Sequence, residues 1–318
     1  MTAHSYRLSI ERAHEVQRII DPVFLNSPQF ISDSLSRLLG FDLVCKLETL
    51  NPIRSFKGRG TEVFAANAKP GERLYCASAG NFGQAMAYSC TRRNVPLTVY
   101  ASVNANPYKI ERMRELGADV VLYGADFDAA KLEGKRQAAA AGATFVEDGQ
   151  DIESLEGTAT IGLELLRFPR KIDSATIALG NGAFLNGIAR ILKHYQPSLQ
   201  VVAVQANGAP AMVESWRTGK LIAHESINTI ADGIGVRIPI PVALTDMQGL
   251  VDDALLVEES SIIEAMKLFH RHLGIVVEPS GAVGLAALLE NKERFKGQTV
   301  ATIVCGGNLT AEQMDRWL

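Results

Sequence analysis

The chain has 318 residues, of which 47% are hydrophobic and 21% charged, and its formal net charge is −3. This composition is typical of a globular protein, and the small net charge gives no reason to expect a nucleic acid or a membrane surface as partner. No apolar run is long enough to span a bilayer, and residues 1–9 lack the apolar core of a signal peptide, so we expect a cytoplasmic protein.

Short β-branched runs alternate with longer helical patterns along the chain. This alternation predicts α/β architecture with parallel sheets and helices on both faces. The predicted strands are 43–46, 73–77, 97–101, 119–123, 144–146, 175–179, 201–205, 255–257 and 299–304. The predicted helices between them include 108–116, 126–141, 155–167, 184–195, 260–273 and 282–291.

Residues 73–146 contain four of the predicted strands and form a compact α/β block of their own. A second sheet would then come from the segments before and after this block. We therefore expect two open, twisted, mostly parallel sheet domains with a cleft between them. The large domain would comprise residues 1–72 and 147–318, and the small, mobile domain residues 73–146.

The most informative segment is residues 51–60, Asn-Pro-Ile-Arg-Ser-Phe-Lys-Gly-Arg-Gly. Glycine on both sides of Arg59 lets the backbone come close to a ligand. A lysine held beside such a turn can form an imine instead of remaining a solvated charge. Lys57 is therefore the candidate covalent anchor for an aldehyde cofactor.

Three glycine-containing turns each follow a predicted strand, where ligands bind in open α/β sheets. They are residues 78–83 (Ser-Ala-Gly-Asn-Phe-Gly), 180–183 (Gly-Asn-Gly-Ala) and 305–308 (Cys-Gly-Gly-Asn). The second opens a helix, so its backbone N–H groups favour a phosphate, although it matches neither the dinucleotide-binding nor the Walker pattern. Each turn taken singly is also explained as a structural connection with nothing bound.

Four side chains near these turns have chemistry that suits a ligand. Ser78 and the amides after it suit a carboxylate, and Asn81 can donate to a ligand oxygen. The Cys305 thiol can meet a heteroaromatic nitrogen. Glu278 precedes a predicted helix, where a carboxylate is also favoured by the helix dipole alone.

Taken together and in this order, these segments resemble the fold-type II pyridoxal-phosphate enzymes, whose fold is tryptophan synthase β-like. The resemblance is closest to the serine/threonine dehydratase and serine racemase branch and covers residues 19–308. The segment at 229–233, Thr-Ile-Ala-Asp-Gly, is a further match. The resemblance implies pyridoxal 5′-phosphate as cofactor, an amino acid as substrate and a homodimer.

The resemblance also implies a role for each matching residue. Lys57 would carry the Schiff base and later act as the base at the substrate's Cα, and Asn81 would bond the phenolic oxygen of the cofactor. The implied cofactor-binding residues are Phe56, Lys57, Asn81, Gly180, Asn181, Gly182, Ala183, Phe184, Gly233, Glu278 and Cys305. The implied substrate-binding residues are Ser55, Ser78, Ala79, Gly80, Asn81 and Phe82.

The expected reaction is β-elimination from a β-hydroxy amino acid such as L-threonine or L-serine, which gives a 2-oxo acid and ammonia. A neutral ring partner such as Cys305 does not hold a pyridinium proton, so the carbanion is delocalised less and expels a β-leaving group more readily. The alternatives are β-replacement, as in the cysteine synthase branch, a dedicated lyase of secondary metabolism, and a cofactor-binding regulatory or carrier protein without enzyme activity.

The sequence departs from the branch at several positions. Asn181 and the alanine at 183 interrupt a turn that is usually four glycines, and Phe82 replaces a common histidine. Ala79 stands where the racemases have a second serine, so racemisation should be poor. Gln205 and Ala211 occupy the positions expected for cation-binding acids, so we expect no Mg²⁺ or Ca²⁺ site.

Overall fold

The computed structural model of the protein describes residues 6–318, and within them ten strands form two separate sheets. In chain order the strands are β1 (Gln29–Ile31), β2 (Asp42–Leu47), β3 (Leu74–Ala77), β4 (Leu97–Ala101), β5 (Asp119–Leu122), β6 (Thr144–Phe145), β7 (Ser174–Ala178), β8 (Gln200–Ala206), β9 (Asp253–Val257) and β10 (Thr299–Val304).

The larger sheet has the strand order β1-β2-β10-β7-β8-β9, and the smaller sheet has the order β5-β4-β3-β6. All neighbouring strands run parallel except β1, which is antiparallel to β2 with Gln29 opposite Lys46. The predicted class of mostly parallel α/β sheets is confirmed. The boundaries of the two predicted domains stay a prediction, and residues 1–5 of the larger one lie outside the described residues.

Helices connect most of the strands and cover the sheets. They are α1 (Ile10–Val16), α2 (Asp33–Leu39), α3 (Gly58–Asn67), α4 (Asn81–Arg92), α5 (Pro107–Glu115), α6 (Phe127–Ala140), α7 (Ile152–Leu165), α8 (Ala183–Tyr195), α9 (Ala211–Thr218), α10 (Pro241–Met247), α11 (Glu259–Leu273), α12 (Pro279–Glu290) and α13 (Ala311–Trp317). None of these described helices is long and apolar enough to cross a membrane.

The central strands of the larger sheet are buried along their whole length because helices cover both faces. Every residue of β7 and β10 is buried, as expected for parallel strands with helices on either side. The smaller sheet has its own core, to which Phe64 and Met86 belong, and its edge strand β5 is largely exposed. The turns that follow the carboxyl ends of the strands therefore extend from two separately packed cores.

Helices α3 and α7 pack backbone against backbone at two glycines. A Cβ atom at Gly157 of α7 would lie 2.3 Å from the backbone nitrogen of Gly60 and 2.4 Å from the carbonyl carbon of Arg59. Only glycine fits this crossing, and it brings α7 directly under the start of α3. The residue before α3 is Lys57.

We expect Gly157→Ala to lower the free energy of unfolding by about 2 kcal/mol, measured by denaturant titration, because backbone atoms cannot move aside. Helix propensity alone predicts a gain of roughly 0.5–1 kcal/mol for this change. Gly134→Ala on α6 is the control, since its Cβ would meet only ring atoms of Phe145 and Tyr100, which can shift. A variant of Gly157 as stable as the wild type would contradict the packing argument.

Candidate active site

A cleft of about 1020 Å³ opens at the carboxyl ends of strands from both sheets. Turns that follow β3, β6, β7 and β10 contribute to its walls. The structure places most of the predicted site residues on these walls, namely Phe56, Lys57, Ser78, Ala79, Gly80, Asn81, Phe82, Gly180, Asn181, Phe184, Gly233, Glu278 and Cys305.

Three predicted residues lie behind the cleft wall. Ser55 is completely buried, and its Oγ accepts the backbone N–H of Lys57 at 3.3 Å. Ser55 therefore fixes the loop that presents Lys57, and the structure gives it no place on the substrate side. Gly182 and Ala183 are buried at the start of α8, where Gly182 has a φ of +95° and no room for a side chain beside Ala243.

Lys57 extends into the cleft beside an aromatic pair. Its Nζ lies 4.6 Å from the centroid of the Phe56 ring, and the Phe56 and Phe184 rings pack with centroids 4.3 Å apart. Nζ donates to the carboxylate of Asp148, a cleft residue in the turn after β6. Asp148 was not among the predicted site residues, although it is an acid shortly after a predicted strand.

A buried cluster of charges holds the segment that carries Lys57. The Arg59 guanidinium is fully buried and donates to Glu48 at 2.8 and 2.9 Å and to Glu164 at 2.7 and 3.0 Å. Lys46, also fully buried, donates to the same Glu164 carboxylate. Two cations thus face two carboxylates. Since Arg59 is two residues from Lys57, this cluster sets where Lys57 enters the cleft.

The turn at residues 78–82 presents unpaired backbone donors. The Oγ of Ser78 accepts the N–H groups of Gly80 at 3.2 Å and Gly83 at 2.9 Å, which holds the turn in shape. The N–H groups of Ala79, Asn81 and Phe82 have no hydrogen-bond partner within residues 6–318. They lie at the N-terminus of α4, a setting that favours an anion such as a carboxylate.

The side chain of Phe82 takes no part in this anion-binding turn. Its ring packs edge-on against Phe64 in the core of the smaller sheet, with centroids 6.1 Å apart. The departure from histidine at this position therefore adds apolar packing, while the backbone N–H remains at the turn.

The Asn81 amide is fixed from both ends. Its Nδ2 donates to Glu278 Oε1 at 2.7 Å, and its Oδ1 accepts from Asn308 Nδ2 at 2.9 Å. Asn308 also donates its backbone N–H to Glu278 Oε2 at 3.1 Å. The second N–H of the Asn81 amide is left for a ligand oxygen. Asn308, the last residue of the Cys-Gly-Gly-Asn turn, is a second site residue that the prediction did not include.

Glu278 is a buried carboxyl with little counter-charge. Burial, and then the nearby Asp232 carboxylate, raise the pKa of Glu278 to about 7, although the hydrogen bonds from Asn308 and Asn81 act in the opposite direction. A Cβ at Gly306 would lie 2.1 Å from Glu278 Oε1, so glycine is needed there. Glu278 can therefore exchange a proton near neutral pH.

Two neutral groups lie together close to Glu278. The Cys305 thiol donates to the carbonyl oxygen of Ser280 at 3.5 Å, and burial raises the pKa of the thiol, so it stays protonated. The Ser280 hydroxyl is buried and has no hydrogen-bond partner in the described part of the chain. An uncharged ring nitrogen would satisfy it, and Ser280 is a third residue absent from the predicted set.

The turn at residues 180–183 has both free and occupied donors. The N–H groups of Gly180, Asn181 and Gly182 are unpaired among residues 6–318, as an anion site requires. The N–H of Ala183 is taken by the side chain of Asn181, whose Oδ1 accepts it at 3.1 Å. The Asn181 Nδ2 donates to Asp148 at 2.8 Å. The departure from four glycines thus links this turn to Asp148.

Comparison with known proteins gives a consistent result. The family model described as "Pyridoxal-phosphate dependent enzyme" matches residues 20–306. The chain is 32% identical to L-threonine ammonia-lyase of Thermotoga maritima, over 97% of this chain and 78% of that protein. It is 29% identical to L-threo-3-hydroxyaspartate ammonia-lyase of a Pseudomonas species, over 98% of both. The structure of maize serine racemase superimposes with a TM-score of 0.91 at 27% identity and covers 98% of each chain.

Groups of three or more acidic, histidine or cysteine residues suited to a metal ion are absent from residues 6–318. Gln205 is fully buried, and its Oε1 accepts the N–H of Val213 at 3.1 Å. The expectation of no divalent-cation site stays a prediction.

The raised pKa of Glu278 makes stability depend on pH. The folded protein keeps a proton that the unfolded chain, with a carboxyl pKa of about 4.3, loses first. This contribution is complete below about pH 4.3 and is lost as the pH rises through about 7. Between pH 5 and 8 we expect the cofactor-free wild type to lose roughly 2–3 kcal/mol of unfolding free energy relative to Glu278→Gln.

Denaturant titrations at several pH values measure this difference. Glu293→Gln is the control, because that carboxylate is 92% exposed and its curve should run parallel to the wild type. Parallel curves for wild type and Glu278→Gln would show that the buried carboxyl does not retain its proton.

Proposed function

The chain belongs to the family of pyridoxal-phosphate dependent enzymes, and we propose that it eliminates water from a β-hydroxy amino acid such as L-serine or L-threonine. The products would be a 2-oxo acid and ammonia. The observation that carries this proposal is the placement of Lys57 in one cleft with two anion-binding turns, at residues 78–82 and 180–183. One turn suits the substrate carboxylate and the other the cofactor phosphate.

The residues that line the cleft fit the predicted cofactor, pyridoxal phosphate. Lys57 Nζ suits the aldehyde, and the unpaired N–H groups of residues 180–182 suit the phosphate. The unpartnered Ser280 hydroxyl and the Cys305 thiol suit a neutral ring nitrogen. When bound, pyridoxal phosphate supplies an acceptor for the electrons released at the substrate's Cα.

Lys57 does the proton chemistry in this proposal. Its Nζ takes the proton from Cα while the unpaired N–H groups of Ala79, Asn81 and Phe82 hold the substrate carboxylate. The aromatic pair of Phe56 and Phe184 restricts water on one side of Nζ. The Asn81 amide, locked by Glu278 and Asn308, keeps one N–H aimed at a ligand oxygen without having to reorganise.

Racemisation is the second candidate, because the fold matches maize serine racemase closely. It needs a proton donor on the face of Cα opposite Lys57. Ala79 lines the cleft and carries no hydroxyl, which supports elimination over racemisation. Chiral analysis of serine recovered after incubation distinguishes the two outcomes.

The mobility of the smaller domain, the oligomeric state and the location in the cell are proposed from the sequence and its resemblance. We propose that residues 73–146 form the small mobile domain, which the separate four-stranded sheet at residues 74–145 supports. We also propose that the active form is a homodimer and that it acts in the cytoplasm.

The charges of the cleft bear on the choice of substrate. Besides Lys57, the cations that line it are Lys109, Lys131 and Arg237. Each is paired with an acid that also lines the cleft: Lys109 with Asp232 at 3.0 Å, Arg237 with Asp128 at 3.2 Å, and Lys131 with Glu147. A second carboxylate on the substrate would therefore find no uncommitted cation among these residues.

The purified protein should show the visible absorbance of bound cofactor and release 2-oxo acid from L-serine or L-threonine. Lys57→Ala should lose the absorbance band. Its kcat should fall at least about 1,000-fold, on the order of the contribution of a catalytic base. Lys131→Ala is the control, because this cleft lysine is bound to Glu147 and lies outside the proposed chemistry. A wild type without 2-oxo acid release, or a Lys57→Ala protein with the band intact, would overturn the proposal.

L-threo-3-hydroxyaspartate should be a poorer substrate than L-serine, although a relative from Pseudomonas is named for it. We expect kcat/KM about five-fold lower, since a carboxylate left unpaired in the cleft costs on the order of 1 kcal/mol. Steady-state kinetics with both substrates at equal ionic strength measures the ratio. Equal or higher kcat/KM for the dicarboxylate would show that one of the cleft cations is available to it.

A further inference from the structure

Asp148 is placed too firmly to be an incidental surface acid. Its Oδ1 accepts from the Ser154 hydroxyl at 3.0 Å, and its Oδ2 accepts from Asn181 at 2.8 Å and from Lys57 Nζ. The next residue, Gly149, has a φ of +87°, and a Cβ there would lie 2.7 Å from Asn181 Cγ. The backbone after Asp148 is thus pressed against the residue that also braces its carboxylate.

The elimination chemistry proposed above needs Lys57 but does not by itself require an acid next to it. The Lys57 and Asp148 side chains are 15% and 17% exposed, so the ion pair lies in the wall of the cleft and is only weakly screened by water. A carboxylate in such a setting accepts a charge-assisted hydrogen bond from a neighbouring amine. It also fixes the position of that amine.

We propose that Asp148 is a positioning residue for Lys57, an inference that rests on the proposed elimination. In the reaction the Cα–H bond breaks and an N–H bond forms at Lys57 Nζ, which becomes an ammonium ion. The Cβ–O bond then breaks, its electron pair leaves with the oxygen, and a proton from Nζ completes a water molecule. Asp148 neither gains nor loses a proton, and it holds the ammonium between the two transfers.

The same contact works against loading of the cofactor. Asp148 holds Nζ in an ion pair that must open before Nζ can react with an aldehyde. Through Asn181 the carboxylate also lies beside the turn proposed to receive a phosphate, where its negative charge is unfavourable. Asp148 therefore has opposite effects on two steps, since it slows loading and speeds turnover.

Asp148→Asn tests this pair of effects, because asparagine keeps the size of the side chain and removes its charge. Pyridoxal 5′-phosphate added to the cofactor-free variant should raise the visible absorbance about three-fold faster than in the wild type, the effect of losing one partly exposed ion pair. The loaded variant should show a kcat for L-serine about 10- to 100-fold lower, with KM changed by less than about three-fold. The primary isotope effect with Cα-deuterated serine should increase.

Asp42→Asn is the control, since Asp42 pairs with Arg170 outside the cleft lining, and all three readouts should stay at wild-type values. If Asp148→Asn folds poorly, Ser154→Ala removes one bond to the carboxylate and should shift the readouts in the same directions by less. Slower loading together with lower kcat would indicate a structural role and overturn the inference, as would unchanged kcat and isotope effect. A wild type that releases no 2-oxo acid would overturn the proposed function instead, whatever the loading rates.

Discussion

The buried charge cluster around Arg59 is the interaction on which the rest of the structure depends. It joins Lys46 of β2, and Glu48 just after that strand, to Arg59 of α3 and Glu164 of α7. Each charge has lost its water, and removing one would leave an uncompensated charge in the core, which typically costs 3–5 kcal/mol. Because Lys57 lies two residues before Arg59, the same contacts hold the fold and fix where the Lys57 side chain starts. Helix α7 reaches from this cluster to Ser154, beside Asp148.

The two carboxyl groups nearest the proposed chemistry differ in environment. Asp148 is partly exposed and pairs with a cation, whereas Glu278 is buried with a pKa near 7 and donors from Asn81 and Asn308. In the proposed reaction Asp148 would hold the ammonium group of Lys57, whereas Glu278 holds the Asn81 amide in place. The cleft thus separates the handling of charge from the alignment of the ligand.

The sequence predicted the parallel strands well because they are short, mainly apolar runs between turn signals, and β10 has the predicted bounds. It did not predict α3, whose glycine-rich start is locally a turn signal and becomes helical through contact with α7. The three-residue β1 is too short to show a periodic pattern. The turns after strands led to most cleft residues. Asn308 was missed because it bonds Asn81 across 227 positions, and Asp148 because it bonds Lys57 across 91 positions. Sequence spacing does not reveal contacts between such distant residues.

The side chain of Asn181 connects the turn at residues 180–183 to Asp148. Its Oδ1 accepts the N–H of Ala183, and its Nδ2 donates to the Asp148 carboxylate. Replacing Asn181 with glycine would free the N–H of Ala183 and at the same time remove a hydrogen bond from the Asp148 carboxylate. Positions 148 and 181 should therefore change together during divergence, with non-additive effects for residues that share a contact. An attempt to transplant a four-glycine turn into this chain would succeed only with a compensating change at Asp148.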